Sequence, residues 1–243
     1  MKKFVLFIVE GKNDEREIQA ILRTPFFGSF LEQNVPQFKP LGKDITLDAP
    51  GKTSIRSVVS KVVRSWKNGD TAPFQPIKNA YINEIVHVVD LDGVFIPRTA
   101  IMKDDDAAGF VYEDELIRAP NPELVVQRNA IKSSNLKVLI ETKEIDNLPY
   151  RVFYMSCNMD HVLSGKRNAN QKYKDAFSFQ YGNLCKADPS IIFKSICSGS
   201  IGTVLSYEAS WQKIMEGTAS LKRSTNLNIW LKENGHFEDQ TAT

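Results

Sequence analysis

Phe4-Val5-Leu6-Phe7-Ile8-Val9-Glu10-Gly11-Lys12-Asn13-Asp14 is the stretch on which the fold of this 243-residue chain turns. Six apolar residues follow one another without a polar break, the pattern of a strand buried on both faces. The run stops at a carboxylate and a glycine. Asn13 can cap a helix running to about Arg23, with Asp14, Glu15 and Glu17 near its positive end. Ile18, Ile21 and Leu22 would face the core. Buried strands joined by helices form open, mainly parallel sheets, and ligands of such sheets bind beyond the carboxyl ends of the strands.

A second apolar run, Ile85-Val86-His87-Val88-Val89, also ends in carboxylates, Asp90-Leu91-Asp92-Gly93. As neighbouring parallel strands, the two runs would set Glu10, Asp90 and Asp92 along one edge. Carboxylates gathered there repel one another unless a hard divalent cation such as Mg²⁺ or Mn²⁺ sits between them. This arrangement points to a metal-dependent enzyme acting on phosphate esters.

A strand ending in Glu-Gly-x-x-Asp, then a helix, then a strand ending in Asp-x-Asp-Gly resembles the TOPRIM superfamily of topoisomerases, primases, ribosomal RNA maturases and phage-defence nucleases. The resemblance covers residues 3–160, with its specific residues in these two motifs. It implies a mainly parallel α/β sheet flanked by helices, with Mg²⁺ held by Asp90 and Asp92. It gives Glu10 acid/base or metal chemistry, and Asp14 the place of a further ligand found in some nuclease members. Topoisomerase-type members continue the second motif to a Glu where this chain has Val94. The resemblance therefore implies a nuclease of DNA or RNA using one or two ions, and a setting in phage defence with a partner protein or a second copy. A rival resemblance joins Val88–Phe95 to haloacid-dehalogenase-type phosphatases. That would make Asp90 the nucleophile, with the run ending at Ser156 as second motif and Lys166 as lysine. It leaves Glu10 and Asp14 without a role. A third reading is a non-catalytic binding module.

The helix Thr53–Lys67 carries Ile55, Val58, Val59, Val62, Val63 and Trp66 on one stripe, ended by Asn68-Gly69-Asp70. Its basic residues Arg56, Lys61 and Arg64 are candidate nucleic-acid contacts. Residues 39–78 carry eight Lys/Arg against three Asp, whereas 84–123 carry three basic against ten acidic residues. A basic flank beside an acidic metal edge suits a polyanion. An ordinary solvated helix face accounts for the same lysines.

Elsewhere, the four prolines of 25–52 predict loop with one strand near 44–48. Lys103-Asp104-Asp105-Asp106 reads as a solvated charge run, with a supporting metal role as the alternative. Tyr112–Arg118 predicts a short strand, Pro122–Ile140 a helix and Arg151–Ser156 a further strand. Asn158 would cap a helix at 159–164, with His161 packed rather than catalytic. Lys166, about ten residues past that strand, is the candidate cation for transition-state charge. Helices at 171–186, 189–197 and 204–218 would form a C-terminal extension whose core is Phe177, Phe179, Tyr181, Trp211 and Trp230. The expected domains are 1–165 (catalytic), 166–235 (helical) and 236–243 (tail).

Hydrophobic residues at 42% and charged residues at 25% are those of an ordinary globular chain. No apolar stretch approaches the ~20 residues of a membrane span. Lys2-Lys3 before Phe4–Val9 imitates a signal peptide, but the run ends at Glu10 without a small-residue cleavage site. Cys157, Cys185 and Cys197 are odd in number and unpaired in spacing, which predicts a cytoplasmic protein without zinc.

Overall fold

The opening run forms a parallel strand, β1 (Lys3–Val9), with α1 (Lys12–Leu22) directly after it. The structure, a computed structural model, describes residues 1–48, 53–69 and 77–237. After α1 come α2 (Gly28–Gln33), β2 (Asn34–Pro40) and α3 (Ile55–Lys67). β3 (Ile82–Asp90) carries the second acidic run. Three short strands, β4 (Ile101–Lys103), β5 (Val111–Tyr112) and β6 (Ile117–Ala119), precede the long α4 (Pro122–Glu141). A hairpin of β7 (Glu144–Ile145) and β8 (Leu148–Ser156) returns to the sheet. Then follow α5 (Met159–Ser164), α6 (Gln171–Ala187), α7 (Tyr207–Ile214), β9 (Ser224–Thr225) and α8 (Leu227–Asn234).

The central sheet runs β2-β1-β3-β8-β7, with β9 also on β8. β2, β1, β3 and β8 are parallel, while β7 and β9 pair antiparallel to β8. The fold is therefore α/β, with a mixed, mostly parallel sheet between helices. Alternation along β1 divides its side chains between two cores. Val5, Phe7 and Val9 pack with α1, α5, α6 and α8, whereas Leu6 and Ile8 pack with α3, α4 and α7. β4, β6 and β5 make a separate small sheet. Among the described residues no helix is long and apolar enough to cross a membrane.

Several expectations need correction. The strand predicted near 44–48 is instead a 3₁₀ turn, Ile45–Leu47, with the Asp44 side chain accepting from the Thr46 N–H. The strand of this region is β2, at the sheet edge, where Pro36 and Pro40 are tolerated because one side of the strand needs no ladder donors. Tyr112–Arg118 is two strands rather than one, with Tyr112 opposite Ile117. The third C-terminal helix is shorter than 204–218, starting where Ser206 caps the Ala209 N–H. A π-helical turn occupies Phe193–Cys197. Phe179 is not a core residue, being 74% exposed. Lys52, Asp70 and most of the 236–243 tail lie outside the described residues.

The segment 166–235 shares its cores with the sheet. Tyr181, Trp230 and Leu231 belong to the cluster of Val5 and Phe7, and Trp211 to that of Leu6 and Ile8. Trp230 also donates through its indole N–H to Glu84 of β3 at 2.8 Å.

Candidate active site

Parallel register brings the acidic ends of β1 and β3 together. Glu10, one residue past β1, accepts a hydrogen bond from the Asp90 N–H through Oε1 at 3.1 Å. Gly11 caps α1, and Asp14 at the third helical position turns back to accept the Gly11 N–H at 2.8 Å. Asp90 Oδ1 accepts from the Met159 N–H at 2.9 Å, which ties the end of β3 to the start of α5. Glu10, Asp14 and Asp90 thus line one cleft of about 410 Å³, together with Asp44 and Lys174.

Asp92 is held differently. Its φ of 52° lies in the left-handed region, which Asp tolerates better than most residues, and Gly93 follows at 68°. The Asp92 N–H donates to the Cys157 carbonyl at 2.7 Å. Arg128 donates to the Asp92 carbonyl at 2.7 Å and Asn129 to the Gly93 carbonyl at 3.1 Å. The Asp92 carboxylate pairs with Lys132 Nζ at 2.9 Å, and the same ammonium meets Asp44 at 2.6 Å. Lys132 is fully buried.

These partners were not foreseen, yet α4 carries a signal for them. Val125, Asn129, Lys132, Asn135, Leu136 and Leu139 form its buried stripe, with polar groups in the middle of it. A lysine and two asparagines at core spacing mark a face that must meet polar groups. Asn135 meets them in the Thr46 and Asp48 carbonyls, at 2.8 and 3.1 Å.

Desolvation dominates the titration of the cluster. It pushes the Glu10 carboxyl up to about 8, against the pull of Lys132 and with the push of Asp44 and Asp92. Asp14 rises to about 6 for the same first reason. Asp90 rises well above its ordinary value through desolvation and then the neighbouring Glu10 and Asp14. Desolvation would also raise Asp92, but Lys132 and Arg128 outweigh it and hold that carboxyl low. Behind the cleft, burial lifts Glu17 to about 9, and its Oε1 has no hydrogen-bond partner. Asp160 is paired with Lys174 at 2.9 Å.

Among the described residues no three His, Cys, Asp or Glu side chains stand at ligating distance around one point. Glu10, Asp14 and Asp90 each direct an oxygen to a backbone N–H instead. The donor set still fits a hard divalent cation. Glu10, Asp14, Asp44 and Asp90 bring only carboxylate oxygens to the cleft, and burial together with their neighbouring carboxylates raises Glu10, Asp14 and Asp90. In the cleft Glu10, Asp14, Asp44, Asp90 and Lys174 are half-buried, while Lys12, Arg16, Lys43 and Asp175 are exposed at its rim.

Other expected site residues lie elsewhere. Lys166 is exposed, with its ammonium 4.0 Å from the centre of the Tyr173 ring. The lysine that α6 brings to the cleft is Lys174. Arg64 makes two hydrogen bonds to Asp146, at 3.0 and 2.8 Å, in the β7–β8 turn. That turn lies at the amino end of β8, opposite the end where Asp90 meets Met155. Arg56 borders Glu144 and Asp146, and Lys61 is exposed on the same helix. None of the three lines the cleft. Asp105 pairs with Lys103, beside the small sheet. Asn158 caps α5 as expected, and His161 is packed, accepting the Cys157 N–H at 3.1 Å.

Compared with known proteins, the chain matches no family model, no curated protein and no solved structure.

Proposed function

We propose that this chain is a divalent-metal-dependent nuclease that hydrolyses phosphodiester bonds of DNA or RNA at the Glu10–Asp90 edge. The observation that carries the reading is the meeting of Glu10 and Asp90, from separate strands, in one cleft with Asp14 and Asp44. Exposed cations at the rim of that cleft suit a polyanionic substrate. The two acidic motifs resemble those of TOPRIM nucleases. A place in phage defence rests on that resemblance alone.

Asp90 and Asp92 would hold Mg²⁺ or Mn²⁺, with Asp14 or Glu10 completing one or two sites. The bound cation would offset phosphate charge and lower the pKa of the attacking water. Glu10, at the end of β1 beside Asp90, would take the proton of that water if it is not itself a ligand. Lys132 is a positioning residue, keeping Asp92 ionised and aimed. Lys174, which lines the cleft while paired with Asp160, would take the part first given to Lys166, countering the charge that grows on the phosphate.

A phosphatase using Asp90 as nucleophile gives no part to Glu10. It also needs Ser156, which is fully buried and donates to the Ala219 carbonyl. The test is Glu10→Gln, assayed on labelled DNA and RNA and on a small phosphate monoester. Loss of nucleic-acid cleavage is expected. Monoester hydrolysis that survives in the variant would overturn the reading in favour of the phosphatase.

A further inference from the structure

The cleft does not end at the carboxylates. α1 and α6 start beside it and run side by side away from it: Asn13 meets Asp175 and Ser178 near their first turns, and Gly182 meets Ala20 further along. Between them lies a groove of about 390 Å³ that shares Arg16 with the carboxylate cleft. Arg16, Arg23 and Lys186 line the groove, and no Asp or Glu does. All three cations are exposed. Among the described residues they make no ion pair; Arg16 and Arg23 touch only the amide oxygens of Asn13 and Gln19. Arg16 and Arg23 are seven residues apart, about two helical turns on one face. Phe179 lies along the same groove with 74% of its surface in solvent.

We propose that the α1–α6 groove binds a single-stranded nucleic acid, with Phe179 stacking on a base and Arg16, Arg23 and Lys186 against its phosphates, and leads the strand into the carboxylate cleft. The inference rests on the nuclease reading for the destination of the strand, but not for its binding. A positive groove with an aromatic platform is the arrangement that holds unpaired strands without reading sequence, since every base offers a face to stack on. A duplex keeps its base faces covered and gives Phe179 nothing to stack on. Of the α3 cations, Arg64 is bound to Asp146 at the opposite end of the sheet, and Arg56 and Lys61 line neither this groove nor the cleft.

The experiment is fluorescence anisotropy of labelled oligo(dT), oligo(U) and a mixed-sequence duplex, in EDTA so that nothing is cut, over a salt series. Wild type should bind one or both single strands more tightly than the duplex, and the two homopolymers show which sugar is preferred. Phe179→Ala should weaken single-strand binding about tenfold, the scale of one lost base–aromatic stack. Phe179→Trp should restore it and report the strand by quenched emission. Arg16→Gln/Arg23→Gln/Lys186→Gln should flatten the log–log salt dependence by roughly two units, at about 0.7 per phosphate contact on a single strand. Circular dichroism checks the fold of each variant. Equal affinity for duplex, unchanged binding by Phe179→Ala, or equal competition by polyglutamate would overturn the groove. Adding Mg²⁺ or Mn²⁺ separates the two claims. Binding that depends on Phe179 without any cleavage leaves the groove and removes the nuclease. Cleavage by wild type with Phe179→Ala binding normally does the reverse.

Discussion

Lys132 Nζ lies 2.9 Å from the Asp92 carboxylate, in a side chain with no exposed surface. A single ammonium thus fixes the second acidic motif, and through Asp44 the segment after β2, from inside the protein. Lys132→Met keeps the length of the side chain and removes its charge. Leaving Asp92 and Asp44 without their cation should destabilise the fold by about 2 kcal/mol or more. That is below the usual figure for a fully buried pair because both acids keep some contact with water. Denaturant melts measure it, and a stability equal to wild type would remove Lys132 from its structural place.

The raised carboxyls give the metal-free protein a defined pH dependence. Glu10 moves from an ordinary 4.5 to about 8, and Asp14 from 3.8 to about 6. These carboxyls, with Glu17 and Asp90 raised likewise, bind more protons in the native state than in the unfolded chain, so their contribution to stability falls as pH rises. His87 and His161, both lowered by burial, oppose this below about pH 6.5, and the four carboxyls outnumber them. Melting temperature in EDTA should therefore increase on going from pH 8 to pH 5. Saturating Mg²⁺ should raise it most at pH 8, with proton release on binding. A melting temperature in EDTA that climbs with pH across this window would contradict the assignment.

Gly93 is required by space as well as by its φ of 68°. A Cβ there would come within 2.5 Å of Leu221 Cδ2. Gly93→Ala should cost about 1–3 kcal/mol, the range for a strained backbone position. It should also lower metal affinity, because it displaces the loop carrying Asp92. Calorimetric titration with Mn²⁺ beside a thermal melt tests both effects.

Two lysines divide the catalytic question. Lys174→Ala should reduce the maximal cleavage rate at least tenfold, whereas Lys166→Ala should change it less than twofold. Single-turnover rates at saturating substrate decide between them. A large effect of Lys166→Ala would restore the residue that chain order first suggested.

What could be read from the chain follows from how each residue is held. Phe4–Val9 of β1 is a continuous apolar run and Ile85–Val89 of β3 is interrupted only by His87, and the carboxylates after them sit at strand ends whose position is set by register, so Glu10, Asp90 and their meeting were legible. Asn158 and His161 were legible because a cap is a local device. β2 was hidden by Pro36 and Pro40, which speak against a strand unless it lies at an edge. Asp44 and Lys132 are 88 positions apart and meet only once α4 is laid on the sheet. The buried polar stripe of α4 was the available clue. That Lys174 rather than Lys166 lines the cleft was not legible, because sequence distance from β8 is a poor guide to reach once a new helix begins at Gln171.

On the proposed reading Asp90 serves metal-dependent cleavage and not folding. End-labelled DNA and RNA incubated with wild type and Asp90→Asn, in Mg²⁺, in Mn²⁺ and in EDTA, test it directly. Cleavage by wild type is expected with metal only, and none by Asp90→Asn. The variant should melt no lower than wild type in EDTA, since a repelling carboxyl is gone. Cleavage by Asp90→Asn at the wild-type rate, or no cleavage by wild type in either metal, would contradict it.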